Sequence, residues 1–328
     1  MKKWFVSLLL TALAIVLAAC SNDGEGTASG SSSDPVKVNI ATLSLPVALV
    51  ANELGYFKEE FEKVNAEYEI SLHTSGPPIN EGIASKRVDL GILGEGAVVG
   101  GANNKLDTKI ISVLSDGLKG INIIIATKES GIEKPEQLKG KKIAVAFGTS
   151  HHVFLLKILQ EAGLTADDVN LVNLQIPDGH PAFQTNQVDA WVTADTYSKV
   201  EAPNGAVVIA TPEASKLYSP MFYVARGEFA KQHPEIVEAY LKAIDRAVEF
   251  AKTDYDQFIS VAAKAAGQDE QLVRLSDTNN AVNEAPSEEL IQEFQKSTEI
   301  LLELGYVEKE IDVEQLLDLS FINKIRGQ

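Results

Sequence analysis

Gly148-Thr149-Ser150-His151-His152 sets a glycine, two hydroxyls and two imidazoles in five consecutive residues, directly after the apolar run Ile143-Ala144-Val145-Ala146-Phe147. Such a set can do two kinds of chemistry. Where a helix starts, the first-turn N–H groups have no intrahelical acceptor and the helix dipole adds positive potential, so hydroxyls and amides there hold an oxyanion without a basic side chain. The same dipole disfavours imidazolium, which makes a neutral histidine donating one hydrogen bond the expected state. A cleft enzyme using His151 or His152 is the alternative chemistry. Two adjacent histidines with no third ligand in sequence do not make a metal site, and no cofactor motif accompanies them. The plainest role for Thr149 or Ser150 is simply to cap a helix.

The elements that must position these residues read as strand, turn and helix. Lys141 and Lys142 lead into the apolar strand, Gly148 marks the turn, and Val153 to Ala162 carries apolar residues at helical spacing, stopped by Gly163. The order recurs earlier. Val36 to Ala41 alternates like a strand and runs through Thr42-Leu43-Ser44-Leu45 into a helix from about Pro46 to Leu54, and strands follow at Glu67–His73 and Arg87–Leu93. In the second half a strand spans Val169–Leu174, the turn Asp178-Gly179-His180-Pro181 precedes a helix, and Gln187–Thr193 runs into Ala194-Asp195-Thr196-Tyr197. Val88-Asp89 and Val188-Asp189 fall 100 residues apart in matching surroundings. This order predicts two similar α/β lobes. Ile121–Ala126 and Met221–Ala225 are the candidates for two crossings between them, so lobe one is expected over 36–120 and 223–328 and lobe two over 121–222. From Pro234 the chain turns helical, with further helices expected near 255–265, 287–303 and 312–318 as the packing layer of lobe one.

Strand-to-helix loops lie at the carboxyl edges of such sheets, where ligands bind. The candidate ligand residues are therefore Ser44, Leu45, Ser75, Gly76, Pro77, Gly94, Glu95, Gly96, Gly148, Thr149, Ser150, His151, His152, Asp195 and Tyr197. Hydroxyls and backbone amides dominate that set.

With 328 residues and 45% hydrophobic content the chain can bury a large core, which excludes disorder for most of it. Residues 1–20 read as a lipoprotein signal: two lysines, an apolar run from Trp4 to Leu17, then Ala18-Ala19-Cys20. Cys20 is the single cysteine, so a disulfide, a cysteine nucleophile and a thiolate metal site are excluded for the exported domain, and lipidation at Cys20 is expected to anchor it to the outer face of the cell membrane. Residues 21–35 have the Ser, Gly and Asp composition of a flexible tether. Against 29 Lys and Arg stand 46 Asp and Glu, a formal net charge of −17, which argues against nucleic acid as a partner.

Assembled in order, these stretches closely resemble the solute-binding proteins of the aliphatic sulfonate, nitrate and taurine group of ABC importers. The matching words are Leu54-Gly55-Tyr56-Phe57, Ser75-Gly76-Pro77-Pro78, Val88-Asp89-Leu90, Leu138-Lys139-Gly140-Lys141-Lys142, the glycine, hydroxyl and histidine turn, Val188-Asp189-Ala190-Trp191, and Leu217-Tyr218-Ser219-Pro220. The resemblance implies an α/β, two-lobed periplasmic-binding-protein type 2 fold, each lobe a mixed sheet flanked by helices and joined by a hinge of two crossings. It also implies a non-catalytic protein that passes a small sulfonate-like solute to membrane permease subunits. Nitrate or a pyrimidine or thiamine precursor are the family alternatives, and an adhesion or scaffold lipoprotein is the alternative outside it. Two departures bear on the ligand. Relatives carry a tryptophan, an acid, a proline and an aromatic where this chain has Ala194-Asp195-Thr196-Tyr197, and a neutral polar residue where it has Glu95. Glu95 or Asp195 is thus expected to select a zwitterion such as an aminoalkyl sulfonate, unless Glu95 turns away into a salt bridge.

Overall fold

In a computed structural model the described residues are 34–119, 122–276 and 281–327; the leader, Cys20 with its lipidation, most of the tether and Ile121 lie outside them. The chain opens with β1 (Val36–Leu43), α1 (Pro46–Glu53), α2 (Tyr56–Glu62), β2 (Ala66–His73), α3 (Gly76–Ala84), β3 (Leu90–Gly94), α4 (Glu95–Asn103) and β4 (Thr108–Ser115). It continues with β5 (Ile123–Ala126), β6 (Lys142–Val145), α5 (Ser150–Glu161), β7 (Asn170–Asn173), α6 (Ile176–Gln184), β8 (Ala190–Thr193), α7 (Asp195–Glu201), β9 (Val207–Ala210) and α8 (Pro212–Ser215). Then come β10 (Met221–Arg226), α9 (Gly227–Gln232), α10 (Pro234–Thr253), α11 (Tyr255–Ala266), α12 (Glu270–Ser276), α13 (Glu288–Glu303) and α14 (Ser320–Arg326).

Two five-stranded mixed sheets result, ordered β2-β1-β3-β10-β4 and β7-β6-β8-β5-β9. Three parallel strands lead each sheet, and one strand antiparallel to its neighbours (β10 in the first, β5 in the second) follows. The candidate crossing strands are therefore sheet members, and the chain passes between sheets just before each of them, between β4 and β5 and, at 211–220, between β9 and β10.

The repeated Val-Asp pair has a structural cause. Asp89 accepts the Asn39 N–H at Oδ2 (3.0 Å) and donates its own N–H to the Asn39 carbonyl, and Asp189 does the same with Lys142 (2.8 Å each way). Each aspartate thus fixes the register of its parallel neighbour at the strand's start. Arg226 adds an ion pair to Asp89 Oδ1 at 2.6 Å.

The C-terminal helices cover lobe one as the stripe Ile236, Tyr240, Ile244 and Val248 requires: all four are buried, and Tyr240 stacks on Phe57 with ring centroids 5.5 Å apart. Two sequence expectations are corrected. The predicted helix at 312–318 is a short 3-10 turn at Val313–Leu316, followed by α14. Asp178–Pro181 is not a turn but the body of α6. Pro177 sits in its first turn, where a missing N–H costs nothing, and Pro181 falls early enough that its missing donor breaks only one bond of a short helix.

Candidate functional site

Gly148 adopts φ of +74°, the left-handed conformation that lets the chain reverse from β6 into α5 within four residues. Thr149 is the N-cap, yet its side chain makes no capping bond; the hydroxyl donates instead to the Ala146 carbonyl at 2.6 Å. The first-turn N–H groups of α5 therefore keep no side-chain acceptor. The pattern repeats across the cleft: Ser75 caps α3 and Gly94 caps α4 without side-chain capping bonds, as does Gln175 for α6.

These four helix starts converge. One cavity of about 60 Å³ is lined by Leu43, Thr74, Ser75, Gly76, Gly94, Ala97 and Met221 from lobe one and by Ala146, Thr149, Ser150, His151 and Ile176 from lobe two. No Lys, Arg, Asp or Glu is among the lining residues. The lobes touch beside it: a Cβ on Gly94 would overlap Ser150 Oγ, one on Gly96 would overlap the Thr149 carbonyl, and one on Gly148 would lie 3.1 Å from Pro77 Cγ. Glycine is what allows α4 and α5 to approach at their starts.

His151 lines the cavity, and its Nε2 is buried with no hydrogen-bond partner among the described residues. Burial pushes its pKa from 6.5 down to about 4, so the ring is neutral at pH 7. His152, likewise lowered to about 4 by burial, faces elsewhere: it stacks on Phe147 (centroids 4.6 Å apart) and meets the edge of Tyr306 at 5.4 Å.

Of the sequence candidates, Ser75, Gly76, Gly94, Thr149, Ser150 and His151 line the cavity, and Pro77, Gly96 and Gly148 form the lobe contact beside it. Ser44 is exposed, and Leu45 packs against the lobe-one core. Glu95 does not line the cavity. It is fully buried, its Oε1 2.9 Å from Lys157 Nζ and bonded by Ser297 Oγ, so the salt-bridge arrangement is the one found. Asp195 pairs with Lys199 at 2.8 Å and accepts from Ser198 Oγ at 2.7 Å, while Tyr197 packs on His180 and Trp191 with centroids 4.8 Å away. Neither lines the cavity. Sequence reasoning missed Leu43, Thr74, Ala97, Ala146, Ile176 and Met221. Leu43 and Ala146 carry a readable signal, since Leu43 closes β1 and Ala146 directly follows β6, the first parallel strand of each lobe. Ile176 was hidden by the misplaced start of α6, and Met221 by the assignment of β10 to a crossing.

The NMT1/THI5-like family profile matches residues 45–257. A Bacillus subtilis (strain 168) protein assigned to aliphatic sulfonate binding is 33% identical over 327 residues, covering 99% of this chain and 97% of the relative. Among solved structures, the alkanesulfonate-binding protein SsuA from Xanthomonas axonopodis pv. citri, bound to MOPS, superposes with a TM-score of 0.79 at 20% identity over 88% of this chain and 100% of that one. The desulfurization enzyme DszB shares the fold at a TM-score of 0.64 and 15% identity, over 89% of this chain and 100% of that one. With the periplasmic-binding-protein fold expected from the sequence and a relative matching nearly end to end, the chain belongs to the NMT1/THI5-like family.

Proposed function

We propose that this protein is the extracytoplasmic solute-binding component of an ABC importer, tethered through a lipidated Cys20, and that it captures an aliphatic sulfonate. The observation that carries this reading is the convergence of four helix starts, with unspent hydroxyls at Ser75 and Ser150, on a cavity without a charged side chain. A sulfonate is a permanent monoanion with three acceptor oxygens. It needs several convergent donors and no proton exchange, which amides, hydroxyls and a neutral His151 provide. The full-length match to a relative assigned to the same ligand class supports it. An ammonium-bearing sulfonate such as taurine fits less well, because Glu95 and Asp195 are both committed to lysines away from the cavity. The cavity lining also lacks a nucleophile paired to a base and an acid, which favours binding over catalysis.

Calorimetric titration of the purified protein with ethanesulfonate, taurine, sulfate and nitrate tests this. Ethanesulfonate is expected to bind at least tenfold more tightly than taurine and to raise the melting temperature, with no product formed. Turnover of the ligand, or binding of nitrate in preference to any sulfonate, overturns the reading.

A further inference from the structure

Lys157 and Glu95 form a buried ion pair that the ligand site as described does not use. Lys157 is 4% exposed and Glu95 not at all. The pair joins the two lobes, since Glu95 is the first residue of α4 and Lys157 lies in α5. Both partners are also fastened to the second crossing: the Glu95 N–H donates to the Pro220 carbonyl at 2.9 Å, and Lys157 Nζ to the Tyr218 carbonyl at 3.2 Å. The flank of α5 around Lys157 belongs to lobe one by packing. Val153 and Leu156 sit in a core cluster with Val98, Phe222 and Phe294, whereas Phe154, Leu155, Ile158 and Leu159 face the second sheet.

We propose that Lys157 is a positioning residue for the ligand site, acting through Glu95. The pair fixes α4 against α5 and the crossing, so that their two N-termini face the same cavity. It also cancels the one carboxylate that α4 carries in its first turn, where an uncompensated negative charge would oppose a bound anion. This rests on the anion-binding reading for its second part and on geometry alone for its first, and the two parts are read separately.

Three variants of the full chain are compared with wild type: Lys157→Met, Glu95→Gln, and the two together. Hydrogen–deuterium exchange without any ligand reads the geometry. Amides of 94–99 and 150–156 are expected to exchange at least fivefold faster in Lys157→Met and in the double variant, with 56–73 unchanged. Calorimetry with ethanesulfonate reads the charge. Lys157→Met should bind at least 30-fold more weakly, the added Glu95→Gln should recover at least fivefold of that loss, and Glu95→Gln alone should bind no more weakly than the double variant. Should Lys157→Met fail to fold, Lys157→Gln, which keeps a polar partner for Glu95 without the compensating charge, replaces it in both readouts, and the double variant still reads the geometry. Wild-type exchange in folded variants lacking Lys157 overturns the positioning role. A loss of affinity that Glu95→Gln does not relieve overturns the charge cancellation. If wild type itself does not bind ethanesulfonate, the functional reading fails and the exchange experiment still decides the positioning role.

Discussion

Gly96→Ala probes the contact between α4 and α5 beside the cavity. Gly96 occupies the first turn of α4 with an ordinary negative φ, so alanine fits its backbone, and an added methyl meets nothing of lobe one before it reaches the Thr149 carbonyl and the Ser150 amide nitrogen at 3.0 Å. The obstacle is backbone of lobe two, which cannot rotate aside, so the lobes must part there by roughly 1 Å to restore ordinary contact. Overpacking of this kind costs about 1–3 kcal/mol. The contact exists without ligand, so the cost falls on folding, and the displaced starts of α4 and α5 should also weaken ethanesulfonate binding several-fold. Alanine is meanwhile up to about 1 kcal/mol better than glycine within a helix, which offsets part of the loss and leaves about 1–2 kcal/mol of destabilisation. Titration calorimetry and thermal unfolding of the same preparation check both signs. A melting temperature at or above that of wild type together with affinity within twofold of it would refute the reasoning.

Three further outcomes follow from the same coordinates. His151 and His152 resist protonation until about pH 4, whereas an unfolded chain takes those protons near pH 6.5. Their folded pKa values are depressed, so this stability is complete above pH 7 and is lost as pH falls from 6.5 towards 4; at most about 3 kcal/mol per ring is involved, and about half that is expected because neither ring is wholly enclosed. Denaturant midpoints at pH 7, 5.5 and 4.5 read it, and a flat profile contradicts it. Thr149→Val removes the hydroxyl that bonds the Ala146 carbonyl and should cost about 1 kcal/mol of stability, with a measurable loss of affinity; no change in either counts against the turn's role. Asp89→Ala strips Arg226, whose side chain is 13% exposed, of its shorter partner and should cost about 3–5 kcal/mol, whereas Asp189→Ala, which frees only the Lys142 N–H, should cost about 1; equal losses in urea unfolding would break the comparison.

How legible was this molecule in its sequence? Alternation placed β1, a glycine turn and a glycine stop placed α5, and Pro234 with the apolar stripe placed α10, because those signals are local: Gly148 needs a left-handed turn whatever surrounds it, and the stripe of α10 needs a core. The repeated order of elements read correctly as two similar lobes, whereas the cause of the paired Val-Asp, an aspartate bracing the neighbouring strand, became visible only in three dimensions. The loops that line the cavity were legible for the same reason as the strands, since parallel order fixes which strand ends face it. Side-chain direction was not. Glu95 has the chemistry of a ligand for ammonium, but Lys157 stands 62 positions away on another lobe, and no spacing rule announces that meeting. Apolar wall residues such as Met221 and Ala97 look like any core residue, because lining a cavity and filling a core place the same demand on a side chain.

An acidic protein can hold an anion because of where its charges lie. A net charge of −17 is spread over a surface screened within about 8 Å at physiological salt. The four helix starts present about half a positive charge each at contact range, in a cavity whose lining carries no formal charge to oppose them. Near field defeats far field as long as Glu95, the carboxylate in the first turn of α4, stays neutralised by Lys157. The same arithmetic governs release. Dipole fields fall away within a helical turn, so moving the α6 start a few ångströms from the ligand removes its share of the grip, while α5, held against α4 through Lys157 and Glu95, keeps its own. A lysine in the cavity would follow its anion on a flexible stem and hold it. Fixed amides cannot, so opening the cleft is itself the step that weakens the grip.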